Sequence, residues 1–200
     1  MKENTLITIT RQYGSGGLAV AEAVAKKVGV KCYNRDIVLK AAMNIQNFED
    51  IKDVIAESYD TPNEFVAKLS FLAGQSVPRQ NQMYNEQERV ILDIAQEGSA
   101  VFVGRCADYI LRNEPNCYSF FIYADDEYRR EVVAKVYKDS SFEDVLDVDK
   151  QRKSYYAYFT GRTWGEPQNY DLMINTTKIS TETAAQIILD YITLRQEEKV

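Results

Sequence analysis

The sequence predicts an α/β fold in which a five-stranded parallel sheet is covered by helices on both faces. Three observations carry that expectation. Leu6–Thr10 is a short β-branched run of the kind that forms a buried strand. It passes through a turn of very small residues, Tyr13-Gly14-Ser15-Gly16-Gly17, into apolar positions at Leu18, Ala21, Ala25 and Val28, which is helical spacing closed by Gly29. The same order of apolar strand, polar or glycine-containing turn and helix then recurs along 200 residues, with no linker, repeat or low-complexity segment. That length suits one domain, taken as residues 1–200.

The elements follow in order. Val30–Asn34 is the second strand, and Arg35-Asp36 opens a helix running to about residue 44. Asn34 suits a helix N-cap, and it also stands at the C-terminal end of a strand, where open α/β sheets face their ligands. Phe48–Gln82 is helical in patches, punctuated by Pro62, Gly74 and Pro78. Tyr84–Glu97 is a clearer helix, with Val90, Ile91, Ile94 and Ala95 on one stripe and Gly98 after it. Ser99–Val103 is the third strand and leads into Gly104-Arg105-Cys106-Ala107-Asp108, with a helix from Tyr109.

Cys117–Tyr123 is apolar enough to be a central strand. Asp125-Asp126-Glu127 then precedes a basic helix carrying Arg129 and Arg130, a charge order that suits the helix dipole. Lys138–Phe159 is charged and tyrosine-rich, and Asp149 and Arg152 fall one helical turn apart, as they would on a solvated face or at a site. Gly161–Pro167 is a loop, Tyr170–Asn175 the fifth strand, and the helix from Thr181 turns Ala184, Ala185, Ile188 and Ile192 inward.

Composition removes several function classes. Apolar residues at 45% and charged residues at 27% describe a globular chain. A net charge of −6 argues against nucleic-acid or anionic-membrane partners. No apolar run approaches the ~20 residues of a membrane span. The N-terminus has no signal-peptide pattern, and Cys32, Cys106 and Cys117 read as buried thiols, so a cytoplasmic location is expected. The absence of histidine excludes histidine-based triads and the common zinc sites.

Strand, glycine turn and helix together aim backbone N–H groups at an anion. The phosphate-loop pattern is glycine, four residues, glycine, lysine, then serine or threonine. Aligned on Gly16, its first glycine falls on Arg11, its lysine on Gly17 and its hydroxyl on Leu18. Arg11 is the nearest candidate for the missing cation.

Arg11-Gln-Tyr-Gly-Ser-Gly-Gly17, Gly104-Arg105, Asp149-x-x-Arg152, Trp164-Gly and Tyr170-Asp-Leu together resemble the cytidylate kinase-like proteins, an offshoot of the P-loop nucleoside monophosphate kinases. The resemblance runs from Leu6 to the terminal helix. It implies a three-layer P-loop kinase fold, a helical monophosphate-binding insertion at residues 36–95 and a lid at residues 128–165. It further implies transfer of the ATP γ-phosphate to CMP or dCMP with Mg2+, small-molecule nucleotides being the partners. Taken with the positions beside the turn, it makes Gly14, Ser15, Gly16 and Gly17 the ATP-binding residues and Arg11, Arg129 and Arg152 the candidate catalytic cations. Asn34, Arg35, Gly104, Arg105 and Asp108 serve the acceptor, and Asp149, Arg162 and Trp164 belong to the lid. Gly17 replaces the family's usual lysine, Leu18 an arginine frequent in the offshoot, Cys106 an aspartate and Val132 a second lid arginine. A kinase for another small acceptor and a non-catalytic nucleotide-binding module are the alternatives.

Overall fold

The computed structural model describes residues 2–34, 37, 40, 77–136 and 141–198. Leu6–Arg11 (β1), Cys32–Tyr33 (β2), Ala100–Val103 (β3), Cys117–Tyr123 (β4) and Leu172–Asn175 (β5) make one all-parallel sheet in the order β2-β3-β1-β4-β5. The five expected strands are present, the second trimmed to two residues that pair with Val101 and Phe102. β5 starts at Leu172, and Tyr170, which caps the 3-10 turn Pro167–Asn169, is buried in the core.

Alternation along β1 divides the core into two layers. Ile7 and Ile9 pack with Val20, Ala21 and Val24 of the helix Gly17–Val28 (α1), and with Ala184, Ile188 and Ile192 of a later helix described below. Leu6 lies in the other layer, with Val90, Ile91 and Ile94 of Val77–Glu97 (α2) and a set of large aromatics. Both faces are therefore apolar, as a parallel sheet requires. Gly29, at φ 71°, ends α1 and donates its N–H to the Ala25 carbonyl, as the spacing predicts. The buried stripe of α1 is Gly17, Val20, Ala21, Val24 and Ala25, so Leu18 is turned outward and 37% exposed. α2 begins seven residues before Tyr84, with Pro78 in the first turn, where a missing N–H costs nothing.

Further helices of the described residues are Ala107–Ile110 (α3), Asp126–Val136 (α4), Phe142–Thr160 (α5) and Thr181–Glu197 (α6). α5 opens with a reciprocal cap: Ser141 Oγ accepts the Asp144 N–H at 3.2 Å, and Asp144 Oδ2 accepts the Ser141 N–H at 2.7 Å. The chain leaves β1 toward β2 and β3 on one side, then crosses to β4 on the other. The resulting reversal places a crevice at the C-terminal end of β1.

Candidate active site

Gly14 and Gly16 both adopt left-handed backbone, at φ 77° and 75°. A Cβ on Gly14 would press on Arg129 and Val133 of α4 at 3.3 Å, so this residue lets the turn lie against that helix. A Cβ on Gly16 would meet nothing within 4 Å. Gly16 is also the N-cap of α1, which has no side-chain cap and no acidic residue in its first turn. The first N–H groups of the helix thus have no side-chain cap among the described residues, an arrangement that favours an anion. Ser15 serves the turn itself: it is buried, and its Oγ donates to the Gln12 carbonyl at 2.8 Å. Gln12 Oε1 accepts the Ala124 N–H at 3.2 Å, and Thr176 Oγ1 donates to the Ser15 carbonyl at 2.7 Å, tying the turn to β4 and to the exit of β5.

Asp149 is the hub on the other side of the turn. Its carboxylate accepts the Tyr13 N–H at 2.9 Å and Arg152 Nη1 at 3.3 Å, and it pairs directly with Arg129 Nη2. Arg129 Nε returns to the Tyr13 carbonyl at 2.7 Å, closing a ring around one residue of the turn. Arg129 Nη1 also pairs with Asp126 at 3.0 Å. Arg152 Nη1 reaches the Arg11 carbonyl at 2.9 Å. Burial pushes the Asp149 carboxyl up, against the opposing effects of Arg152, the Tyr13 N–H and Arg129. Of the pair that could have lain on a solvated face, Asp149 is inside, with 6% of its side chain exposed, and Arg152 is partly buried, at 23%.

Arg11 differs from the other two candidate cations. Among the described residues its guanidinium has no hydrogen-bond or ion-pair partner. Burial, then the Arg152 and Arg105 cations, hold it well below its ordinary pKa, with Asp149 and Cys32 acting the other way. Burial likewise lowers Arg152, against Asp149 and Tyr13 and together with Arg105 and Arg129. Arg11, Arg105 and Arg152 are therefore mutually repulsive cations gathered beside the turn, with Asp149 the carboxylate among them.

Arg105 is placed by an unusual piece of backbone. Gly104, Arg105 and Cys106 are consecutively left-handed, at φ 69°, 59° and 57°. For the two residues with side chains this costs on the order of 1–3 kcal/mol each, strain of a kind that gathers at ligand sites. Cys106 is buried, and burial raises its thiol pKa far above the ordinary value. Asp108 is buried two residues on, where Oδ2 accepts the Tyr156 hydroxyl at 2.6 Å and Oδ1 makes no close hydrogen bond among the described residues. Arg162 is exposed over the Tyr109 ring at 5.2 Å, and Trp164 is buried edge-on against Phe121 at 5.0 Å. Asn34 follows β2 and is partly exposed, whereas Arg35 and most of residues 36–76 lie outside the described residues.

Residues 6–178 match the model of the cytidylate kinase-like family. The chain belongs to that family. The cytidylate kinase of Pyrococcus horikoshii is 22% identical over 195 residues, covering 94% of this chain and 88% of its own. The solved structure of an uncharacterized protein from Eubacterium ventriosum has TM-score 0.69 and 25% identity, covering 94% of this chain and 98% of that one. A gluconokinase from Sinorhizobium meliloti has TM-score 0.60 at 12% identity, over 98% of this chain and 95% of that one. The fold is the three-layer P-loop kinase fold, and family and fold together are those of phosphotransferases.

In this cytidylate kinase-like chain the structure brings the turn, Arg11, Arg105, Arg129, Asp149 and Arg152 to one place. Arg162 and Trp164 stand apart from that cluster, toward Tyr109 and Phe121. Three participants are not marked as site residues by the sequence: Tyr13 and Gln12, which lie within the turn motif but act through a peptide group and a side-chain amide, and Tyr156, one tyrosine among many. Among the described residues no group of three or more carboxylates or cysteines is arranged to hold a metal. The position of the phosphate-loop hydroxyl is occupied by Leu18, which offers no ligand. The described residues of the turn therefore do not fit a protein-held Mg2+. No described helix is long and apolar enough to cross a membrane.

Proposed function

We propose that the protein transfers the γ-phosphoryl group of ATP to a nucleoside monophosphate, with CMP or dCMP as the acceptor. The observation that carries this reading is the gathering of Arg11, Arg105 and Arg152 beside an uncapped helix N-terminus. The like charges of Arg11, Arg105 and Arg152 oppose one another, and a polyphosphate relieves them. Phosphoryl transfer to a monophosphate suits such a site because the acceptor is already ionised, so no general base is needed. Positioning and charge neutralisation are what the reaction demands.

In this reading the N–H groups from Gly14 to Gly17 hold the donor phosphates, with Ser15 fixing the shape of the turn. Arg11 and Arg152 face the transferring oxygens. Arg129 acts with Asp149 through the Tyr13 peptide, and Arg105 addresses the acceptor phosphate or base from its strained turn. Asn34, Arg35, Gly104 and Asp108 belong to the acceptor side, and residues 128–165, with Arg162 and Trp164 at their end, work as the lid. Mg2+ would arrive on the nucleotide phosphates with water as its main ligands. A cytoplasmic location completes the proposal. Gly17 in place of a lysine favours one rival, a nucleotide-binding module without transfer. A panel of nucleoside monophosphates, nucleosides and small metabolites assayed with ATP tests the reading. The expected result is phosphorylation of CMP or dCMP above all others. Tight ATP binding with no product from any acceptor would refute it in favour of the rival.

A further inference from the structure

The pattern of a phosphate loop places a small residue at its first position and a cation six residues later. In this chain the two residue types are inverted, with Arg11 first and Gly17 later. The structure shows that the two positions face each other. A Cβ on Gly17 would collide with the Arg11 Cβ, lie 2.9 Å from its Cγ and 3.2 Å from the Ile122 Cβ. The space in which a side chain at residue 17 would begin is therefore filled by the side chain of residue 11. Beyond that contact Arg11 runs across the end of the sheet to Gly104, where an added Cβ would collide with its Nη1 and lie 3.5 Å from its Cζ. Two glycines on two different turns thus clear one path for one arginine, and at the end of the path the guanidinium has no partner among the described residues. Arg129 and Arg152, by contrast, are held by Asp149.

We infer that residues 11 and 17 have exchanged roles, Arg11 supplying from the end of β1 the cation that binds the β- and γ-phosphates of a nucleoside triphosphate. The inference rests on the phosphotransfer reading and adds a mutual exclusion to it: one of the two positions can carry the cation, and the other must then be glycine. It also sets the direction of approach. The charge comes over Gly104, from the β3 side of the crevice, and its planar fork can span two phosphate oxygens where a lysine offers a point charge.

The test is calorimetric titration of ATP and AMP, in the presence of Mg2+, into the full-length chain and four variants. The wild type should prefer ATP to AMP. Arg11→Ala and Arg11→Gln should each weaken ATP binding about tenfold to a hundredfold and leave AMP within about twofold, since AMP lacks the phosphates concerned. Gly17→Lys alone should bind ATP poorly, because the new side chain meets Arg11. Arg11→Gly combined with Gly17→Lys should recover most of the lost ATP preference. A double variant that folds and binds ATP no better than Arg11→Gln would overturn the exchange. Should the double variant not fold, Arg11→Gln decides, and retained ATP preference there overturns the inference. A wild type that binds no ATP removes the phosphotransfer reading and this inference together. A wild type whose ATP affinity is indifferent to Arg11 removes this inference alone.

Discussion

Asp149→Ala should be the most damaging single substitution among the polar residues of the site. The carboxylate is 6% exposed and Arg129 is 2% exposed, so their pairing takes place out of water. Removing it leaves the Tyr13 N–H without its acceptor and leaves Arg129, among the described residues, with the Tyr13 carbonyl and Asp126, whose side chain is 65% exposed, as its hydrogen-bond partners. Arg152 keeps the Arg11 carbonyl. Breaking a buried pair by deleting one partner costs about 3–5 kcal/mol. For a chain of this size each kcal/mol moves the melting temperature by about 2–4 °C, so a fall of about 6–20 °C is expected. Asp149→Asn preserves an acceptor for Tyr13 but not the charge, and should recover only about 1 kcal/mol of the loss. The control is Glu131→Ala, which breaks an ion pair with Lys135 whose two side chains are 63% and 74% exposed. A pair so exposed contributes at most about 1 kcal/mol, hence a shift below about 4 °C. Thermal unfolding followed by circular dichroism reads all three. If Asp149→Ala melts no lower than Glu131→Ala, the buried ring around Tyr13 does not hold the turn, and the reasoning fails.

Three further outcomes can be checked. Arg105→Gly relieves a left-handed residue at φ 59°, so denaturant unfolding should show equal or higher stability, by about 1 kcal/mol, while ATP-dependent turnover falls about tenfold or more. Lower stability accompanying lower activity would mean that Arg105 is a structural residue. Asp108 has its carboxyl raised by burial, against the Tyr156 hydroxyl, its own and the Tyr109 N–H groups, and Arg162. The folded chain holds that proton more tightly than the unfolded chain, so ionisation costs stability as pH rises above about 3.9. Asp108→Asn should therefore stabilise the protein at pH 7, with the gain shrinking toward pH 4 in paired urea titrations; a gain independent of pH would contradict this. Finally, amide exchange in the proposed lid, followed by mass spectrometry over residues 142–160, should slow when ATP and its acceptor are both present, and unchanged protection would deny that segment a closing motion.

Much of this molecule is legible in its residues. β1, β3, β4 and the helix stripes follow from β-branched runs and from apolar spacing, which are local properties that burial on both faces of a sheet enforces. Gly29 and Gly161 end their helices in left-handed backbone because that conformation asks for glycine. The glycine turn is legible too, because left-handed backbone at Gly14 and Gly16 asks for residues without a side chain. What the tertiary structure decided is the state of each charge. Arg11, Arg129 and Arg152 are equivalent letters in the sequence, yet Arg129 is saturated by Asp149, Asp126 and the Tyr13 carbonyl while Arg11 has no described partner. Asp149 meets Tyr13 across 136 residues of chain, a distance over which periodicity carries no information. Positions 11 and 17 could be seen to hold the wrong residue types for a phosphate loop. That each is explained by the other required the two backbones to be laid side by side, because exclusion of one side chain by another is a property of volume in space and not of order along the chain.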